Sequence, residues 1–324
     1  MKALVTGAGG FVGGWLAAHL MEAGDEVIEL DPELDVRDGD GLASAITSAR
    51  PDAIYHLAGY SHVGQSWQEP QAAFEINALG TLNLLQAARS VEPAPRVLLV
   101  SSADVYGEVD EASLPLAETA AARPATPYAA SKVSAEFLGV QAYLGYGLPV
   151  ITVRPFNHIG PGQHESFFFP ALARRIVQAI DAGASAIPVG NLAARRDFTD
   201  VRDAVRSYRL LIERGLAGEV YNVCSGKDIS LAEAARLMLA VAGASLDLEA
   251  DETLMRPVDL PVLRGDPGKL RAATGWEPAI PLATSLEDLY RRERDTLSGS
   301  AAAVTGPGGS AGSAAAVTGP GGSA

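Results

Sequence analysis

Five short runs of apolar, often β-branched residues stand out in the first half of the chain: Lys2–Thr6, Glu26–Leu30, Ala53–Leu57, Arg96–Ser101 and Val150–Val153. Each is too short for a helix and reads as a buried strand. Between them the apolar positions change period. Phe11, Val12, Trp15, Leu16, His19 and Leu20, for example, fall on one face of a helix. Strand–helix alternation of this kind predicts an α/β fold built on a doubly wound parallel sheet with right-handed crossovers. The second half is less regular. Helices are expected over Phe167–Ala182, Val201–Arg214 and Ser230–Val241, and a strand over Glu219–Val223. The chain is expected to leave the sheet near Gly160 and return around Arg196–Cys224. Residues 1–159 and 191–226 then make the sheet portion, and 160–190 with 227–297 a smaller α/β portion.

The end of the chain follows no such pattern. Residues 299–311 read GSAAAVTGPGGSA, and 312–324 repeat that string. With no charge and few bulky side chains it cannot offset its ordering entropy, so 298–324 is expected to be a disordered tail outside the fold. The formal charge of -14 opposes general binding to nucleic-acid phosphates, though a few placed arginines can reverse the sign locally. Cys224 is the single cysteine, which excludes an internal disulfide framework. No basic-then-apolar leader precedes the first strand and no apolar run is long enough to span a bilayer, so a cytoplasmic chain without membrane contact is expected.

The candidate chemistry begins directly after the first strand. Gly7, Gly10 and Gly13 form G-x-x-G-x-x-G at a strand-to-helix turn, with Phe11 and Val12 opening the helix. Backbone must approach a pyrophosphate closely there, and a helix N-terminus supplies partial positive charge. This is the Rossmann arrangement for a dinucleotide. Asp31 closes the second strand about 20 residues further on, placed to accept from a ribose 2'-hydroxyl and to repel a 2'-phosphate. The cofactor expected is therefore NAD(H), with NADP(H) left open by Arg37. Asp35 and Val36 are placed to contact the adenine, and a solvated loop aspartate is the alternative.

Tyr128 and Lys132, in Y-x-x-x-K, share a helix face, where an ammonium would be expected to lower the tyrosine pKa toward neutrality. A tyrosine so tuned can exchange a proton with a hydroxyl or ketone. Ser101 and Ser102 end the preceding strand, where doubly wound folds place ligands. With TGAGGFVG from Thr6, HLAG from His56, NALGTLNLL from Asn77, SSADVYG from Ser101, YAASK from Tyr128 and RPFNHIGPGQ from Arg154, residues 1 to about 297 resemble the extended short-chain dehydrogenase/reductases that act on nucleotide sugars. The resemblance implies Ser102, Tyr128 and Lys132 as the catalytic set. It also implies cofactor contacts from Leu57, Ala58, Gly59, Asn77, Tyr128, Lys132 and Pro155, with Lys132 on the nicotinamide ribose, a substrate contact from Ser102 to the reacting oxygen, and sugar-diphosphate contacts from Asn157, Arg196 and Arg256.

Within that family the segments RPFNHIGPGQHESF, YNVCSG and RPVDLP look most like the reductases of GDP-4-dehydro-6-deoxy-mannose, which form GDP-rhamnose. The GDP-mannose 4,6-dehydratases are the next resemblance. They carry a glutamate, the C5 base, where this chain has Asp104, one methylene shorter. A 4-epimerase is third, and a nucleotide-binding sensor without catalysis is the reading from another class. The histidines His19, His56, His62, His158 and His164 show no metal spacing, so no metal is expected. Phe167, Phe168 and Phe169 are placed either to stack on a base or to pack a helix start. The family's dimers imply a homodimer, for which Thr81–Ala88 and Glu136–Leu144 are the candidate helices.

Overall fold

A computed structural model describes residues 1–30, 33–255 and 260–299. Asp31, Arg256 and the repeat from residue 300 onward lie outside the described residues. The first half runs β1 (Lys2–Thr6), α1 (Phe11–Glu22), β2 (Glu26–Glu29), α2 (Gly39–Ala49), β3 (Ala53–His56), α3 (Pro70–Phe74), α4 (Gly80–Ala88), β4 (Arg96–Val100), α5 (Pro127–Tyr146) and β5 (Val150–Pro155). A π-helical turn, Glu75–Leu79, joins α3 to α4. There follow β6 (Asn157–Ile159), α6 (Phe168–Ala182), β7 (Ala186–Val189), β8 (Arg195–Asp200), α7 (Val201–Arg214), β9 (Val220–Val223) and β10 (Asp228–Ser230). The chain ends in α8 (Leu231–Ala242), β11 (Asp247–Ala250), β12 (Val262–Leu263), α9 (Gly268–Thr274) and α10 (Leu282–Leu297).

The main sheet is parallel throughout, in the order β2-β1-β3-β4-β5-β9. Its inner strands read as largely apolar runs because both faces are covered, whereas the edge strand β2 keeps Glu26 and Glu29 exposed. Ala3 and Val5 pack with Leu16 and Leu20 of α1 and Tyr208 of α7. Leu4, pointing the other way, packs with Leu42 and Ile46 of α2 and Leu84 of α4. The strand order reverses at β1 and β3, so the loops leaving their carboxyl ends border the crevice where such sheets take ligands.

The segment Arg195–Phe198, which the sequence marks only as the lead-in to a helix, is a strand. β8 is the hub of a second sheet, paired with β10, β12 and β6. The return to the main sheet is made by α7 and β9, and α9 comes back to it later in the chain, with Leu270 and the nearby Trp276 in the same core as Tyr208 and Val223. α6, α8 and α10 close a separate core around Phe169, Ile176, Met238 and Leu286. α8 starts with a capping box in which Ser230 and Glu233 satisfy each other's backbone N–H groups.

Candidate active site

The glycine turn is built as a cradle. Gly7 has φ +70°, and a Cβ there would stand 2.7 Å from Ala58 N. A Cβ on Gly13 would meet the Gly7 carbonyl oxygen at 2.0 Å, so α1 can seat on the turn only without a side chain. Gly10 is the N-cap of α1 and brings no side-chain cap. The first N–H groups of the helix therefore stay available to an anion, with the partial positive charge of the helix end behind them. These observations fit a dinucleotide pyrophosphate. Phe11 and Val12 are half-buried in the first turn.

The facing loop, Leu57–Gly59, is fastened by buried polar groups. Ala58 N donates to Thr6 Oγ1 at 3.0 Å. Thr6 Oγ1 lies 2.9 Å from His56 Nδ1, and His56 Nε2 lies 3.2 Å from Thr81 Oγ1. The Thr81 hydroxyl already donates to Asn77 O at 2.6 Å, so His56 must donate through Nε2 and accept through Nδ1. Burial holds this ring neutral, its pKa pulled down to about 3. Asn77 Oδ1 accepts from Tyr60 N at 2.8 Å, while Nδ2 donates to Tyr60 O at 3.2 Å and to Ser131 Oγ at 2.8 Å. Asn77 thus ties the loop to α5, next to Tyr128. At the other end of the crevice Val36 is buried, and Asp35 accepts from the backbone N–H and the guanidinium of Arg37, which also reaches Glu75 at 3.4 Å.

Helix α5 starts where Thr126 caps Ala129 N, with Pro127 in its first turn. Its first turns carry Tyr128 and Lys132, both buried, with the ammonium 5.9 Å from the phenol ring centroid. Lys132 Nζ donates to Val100 O at 3.0 Å. Burial draws its pKa down to about 8, and the Glu136 carboxylate pushes the other way. Ser102 Oγ accepts from Asp104 N at 3.1 Å and hydrogen-bonds Tyr128. The expectation that Lys132 lowers the Tyr128 pKa is corrected here. Burial and the charge of Asp104 raise it, and only the Ser102 hydrogen bond works in the opposite direction. A phenol that keeps its proton at neutral pH is an acid, suited to giving a proton to a developing alkoxide.

Pro155 and Asn157 leave the carboxyl end of β5, and Asn157 Nδ2 donates to Asp197 O at 3.3 Å. Arg196, on β8, donates through Nη1 to Leu260 O at 2.6 Å. Of the three phenylalanines, Phe169 is core, Phe168 packs against that core, and Phe167 stacks on His62 with ring centroids 6.0 Å apart. His62 also meets His164 edge-on, 6.2 Å between centroids. Loop 62–66 in turn rests on α5, where Tyr128 N donates to Ser66 Oγ at 3.2 Å.

A buried cluster behind Lys132 escaped the sequence reading. Glu136 accepts from Arg154 Nε at 2.9 Å and Nη2 at 2.7 Å, and from Ser101 Oγ at 2.5 Å. Glu136 lies four residues after Lys132 on the same helix, and that spacing was the available signal.

The family model described as GDP-mannose 4,6 dehydratase matches residues 32–289. The GDP-6-deoxy-D-mannose reductase of Pseudomonas aeruginosa is 39% identical over 88% of this chain and 94% of its own length. The GDP-6-deoxy-D-talose 4-dehydrogenase of Aggregatibacter actinomycetemcomitans is 30% identical over 92% of this chain and 100% of its own. A solved structure, RMD from Pseudomonas aeruginosa complexed with NADPH, superposes with a TM-score of 0.84 at 38% identity. It covers 91% of this chain and 100% of that one. The matched span takes in the Tyr128–Lys132 helix, the second sheet and most of the smaller core, and with it the chain belongs to the GDP-mannose 4,6 dehydratase family.

Proposed function

We propose that this chain reduces the C4 ketone of GDP-4-dehydro-6-deoxy-D-mannose to GDP-D-rhamnose, using NADPH or NADH. The observation that carries the reading is the Ser102–Tyr128–Lys132 group, its tyrosine and lysine buried and the phenol held protonated beside a cradle suited to a dinucleotide. Similarity to a GDP-6-deoxy-D-mannose reductase supports the choice of substrate. Gly7, Gly10, Phe11, Val12 and Gly13 would hold the pyrophosphate, with Asp31, Asp35 and Val36 toward the adenosine and Leu57–Gly59, Asn77 and Pro155 along the crevice. When bound, the reduced nicotinamide supplies the hydride. Tyr128 donates its proton to the oxygen that becomes the C4 hydroxyl. Ser102 hydrogen-bonds that oxygen and keeps it in reach of the phenol. Lys132 holds the nicotinamide ribose, and Asn157, Arg196 and Arg256 take the sugar diphosphate.

The 160–190 and 227–297 portion would provide the substrate side, and 1–159 with 191–226 the cofactor side. No helix among the described residues is long and apolar enough to cross a membrane, and we read the enzyme as cytoplasmic. It would work as a homodimer through α5, which presents Phe137, Val140 and Leu144 outward, 68%, 37% and 76% exposed. Thr81–Ala88 contributes little to that face, because Leu84, Leu85, Ala87 and Ala88 are core.

The test is turnover of GDP-4-dehydro-6-deoxy-D-mannose with each reduced cofactor, following the sugar by mass spectrometry and the nicotinamide by absorbance. One reduced nicotinamide consumed per ketone supports the reading. The charge of Asp104 beside Tyr128 favours the dehydratase as the second reading. Loss of water from GDP-mannose without net use of cofactor would replace the reductase with it.

A further inference from the structure

Behind Lys132, on the side of the β-sheet, lies a buried cavity of about 10 Å³. That is room for one water, which needs two to four polar partners to stay. The wall is polar for a site so deep in the fold: Lys132, Glu136, Ser101, Thr152, His56 and Thr81 all line it. Two of these groups have hydrogen-bonding capacity left over. Lys132 makes one hydrogen bond among the described residues, to Val100 O, and carries two further protons. The Thr152 hydroxyl, in the middle of β5, has no hydrogen-bond partner among the described residues. His56 and Thr81 do not compete, since they are engaged with each other and with Thr6 and Asn77.

Glu136 sits across the same cavity, one helical turn from Lys132. No direct ion pair joins the two among the described residues; the carboxylate is held by Arg154 and Ser101. We propose that one water occupies the cavity, accepting from Lys132 Nζ and the Thr152 hydroxyl and donating to the Glu136 carboxylate, and that Glu136 is thereby a positioning residue for the Lys132 ammonium. Glu136 acts through the water and its charge, without touching substrate or cofactor. The physical need is clear from the surroundings. Burial draws Lys132 down to about 8, so a modest further loss of support would leave it substantially neutral at physiological pH.

The charged and titratable groups that face Lys132 are few. Tyr128 lies one turn back on α5, with Asp104 beyond it; neutral His56 faces it from β3; Glu136, with Arg154 behind it on β5, lies one turn ahead. Of these, Glu136 is the one acidic group that raises the Lys132 pKa. Replacing it by glutamine removes that support and leaves Arg154 as an uncompensated cation nearby. Both changes disfavour the ammonium.

The proposal rests on reading Lys132 as the residue that holds the nicotinamide ribose, but its test needs no cofactor. The chain has only four lysines, Lys2, Lys132, Lys227 and Lys269, so the Cε signals of the full-length protein labelled with [13C]lysine can be assigned with Lys132→Arg. In the wild type, the Lys132 signal should titrate below the ordinary lysine range, at about 8. Glu136→Gln should lower that midpoint by about one pH unit. Thr152→Val, which keeps the volume and charge but removes the orphan hydroxyl, should move it in the same direction by less. Thr152→Ser should restore it. Should Glu136→Gln fail to fold, the Thr152 pair decides alone. A midpoint that stays put in Thr152→Val, or moves equally in Thr152→Ser, overturns the water bridge. One that also stays put in a folded Glu136→Gln overturns the role of Glu136. Loss of sugar turnover with these midpoints as expected would count against the proposed reaction and leave this inference standing.

Discussion

Replacing Gly7 by alanine tests the cradle at the point where geometry is most demanding. Two penalties apply. The residue has φ +70°, a conformation that costs an L side chain about 1–2 kcal/mol. Its new Cβ would also stand 2.7 Å from Ala58 N and 2.9 Å from Ala58 Cα, contacts with backbone that cannot rotate away. Relief requires the turn and the Leu57–Gly59 loop to part, and overpacking of this kind costs about 1–3 kcal/mol. The expected loss is therefore about 2–5 kcal/mol, or about 3–8 °C in melting temperature for a protein of this size. Parting the loops also mis-aims the first N–H groups of α1. Losing one hydrogen bond to a charged phosphate, worth about 1.5–3 kcal/mol, weakens cofactor binding by about tenfold to a hundredfold. The assays are scanning calorimetry and titration of NADH or NADPH by nicotinamide fluorescence. Gly9→Ala is the control for the fold, because a Cβ there meets nothing within 4 Å and its φ carries no penalty. If Gly7→Ala melts and binds cofactor as Gly9→Ala does, the close approach of the two loops is not what the turn requires, and the reasoning fails.

Three further outcomes are expected. Tyr128→Phe should lower kcat by about 10²–10⁴ while cofactor affinity stays near wild type, since the hydroxyl alone carries the proton; turnover within tenfold of wild type would remove Tyr128 from the reaction. On the proposed dimer, the wild type should sediment as two chains and the paired charges Phe137→Asp and Leu144→Asp should give a folded monomer; a wild type that sediments as one chain would overturn the dimer, and a sedimentation coefficient left unchanged by the charges would exclude this face. Stability should fall on acidification from about pH 6.5 toward 4. His56 and His158 are held neutral with pKa values of about 3 and about 4, against an ordinary 6.5, so the unfolded chain takes up their protons first. Asp197 works in the opposite direction, because burial outweighs its four hydrogen bonds and raises it to about 6. The balance is near one proton, or about 1.4 kcal/mol per pH unit in urea melts. A flat profile would show that the two imidazoles are not held neutral.

How far the sequence could be read depended on the range of the interaction involved. β1 and α7 occur over the residues their patterns predict, Lys2–Thr6 and Val201–Arg214, because burial period and local caps are written within a dozen positions. The glycine turn and the Tyr128–Lys132 face were legible for the same reason. β8 was not. Its run, Arg195–Asp200, reads RRDFTD with a single apolar residue, so no apolar period marks it, and it becomes a strand through partners as distant in sequence as Asn157 and Val262. The Tyr128 pKa was misjudged in the same way. The spacing to Lys132 is local, but the burial and the Asp104 charge that outweigh it come from other elements.

Arginines show most clearly where local reading stops, because a guanidinium means whatever carboxylate or phosphate reaches it. Arg154 stands in the same motif as Asn157 and could pass for a diphosphate ligand, yet its fork closes on Glu136. Arg37 lies near enough to Asp31 in sequence to suit a 2'-phosphate. Its guanidinium is instead gripped by Asp35 and reaches Glu75, whose place on the π-helical turn no local pattern announces. A 2'-phosphate would have to draw Arg37 away from two carboxylates, whereas a 2'-hydroxyl asks nothing of it. The comparative affinity for NADH and NADPH therefore depends on the Asp35–Arg37–Glu75 contacts. Asp35→Asn, which loosens that grip without touching the cradle, should shift the preference toward NADPH, and an unchanged ratio of the two dissociation constants would show that Arg37 takes no part in the choice.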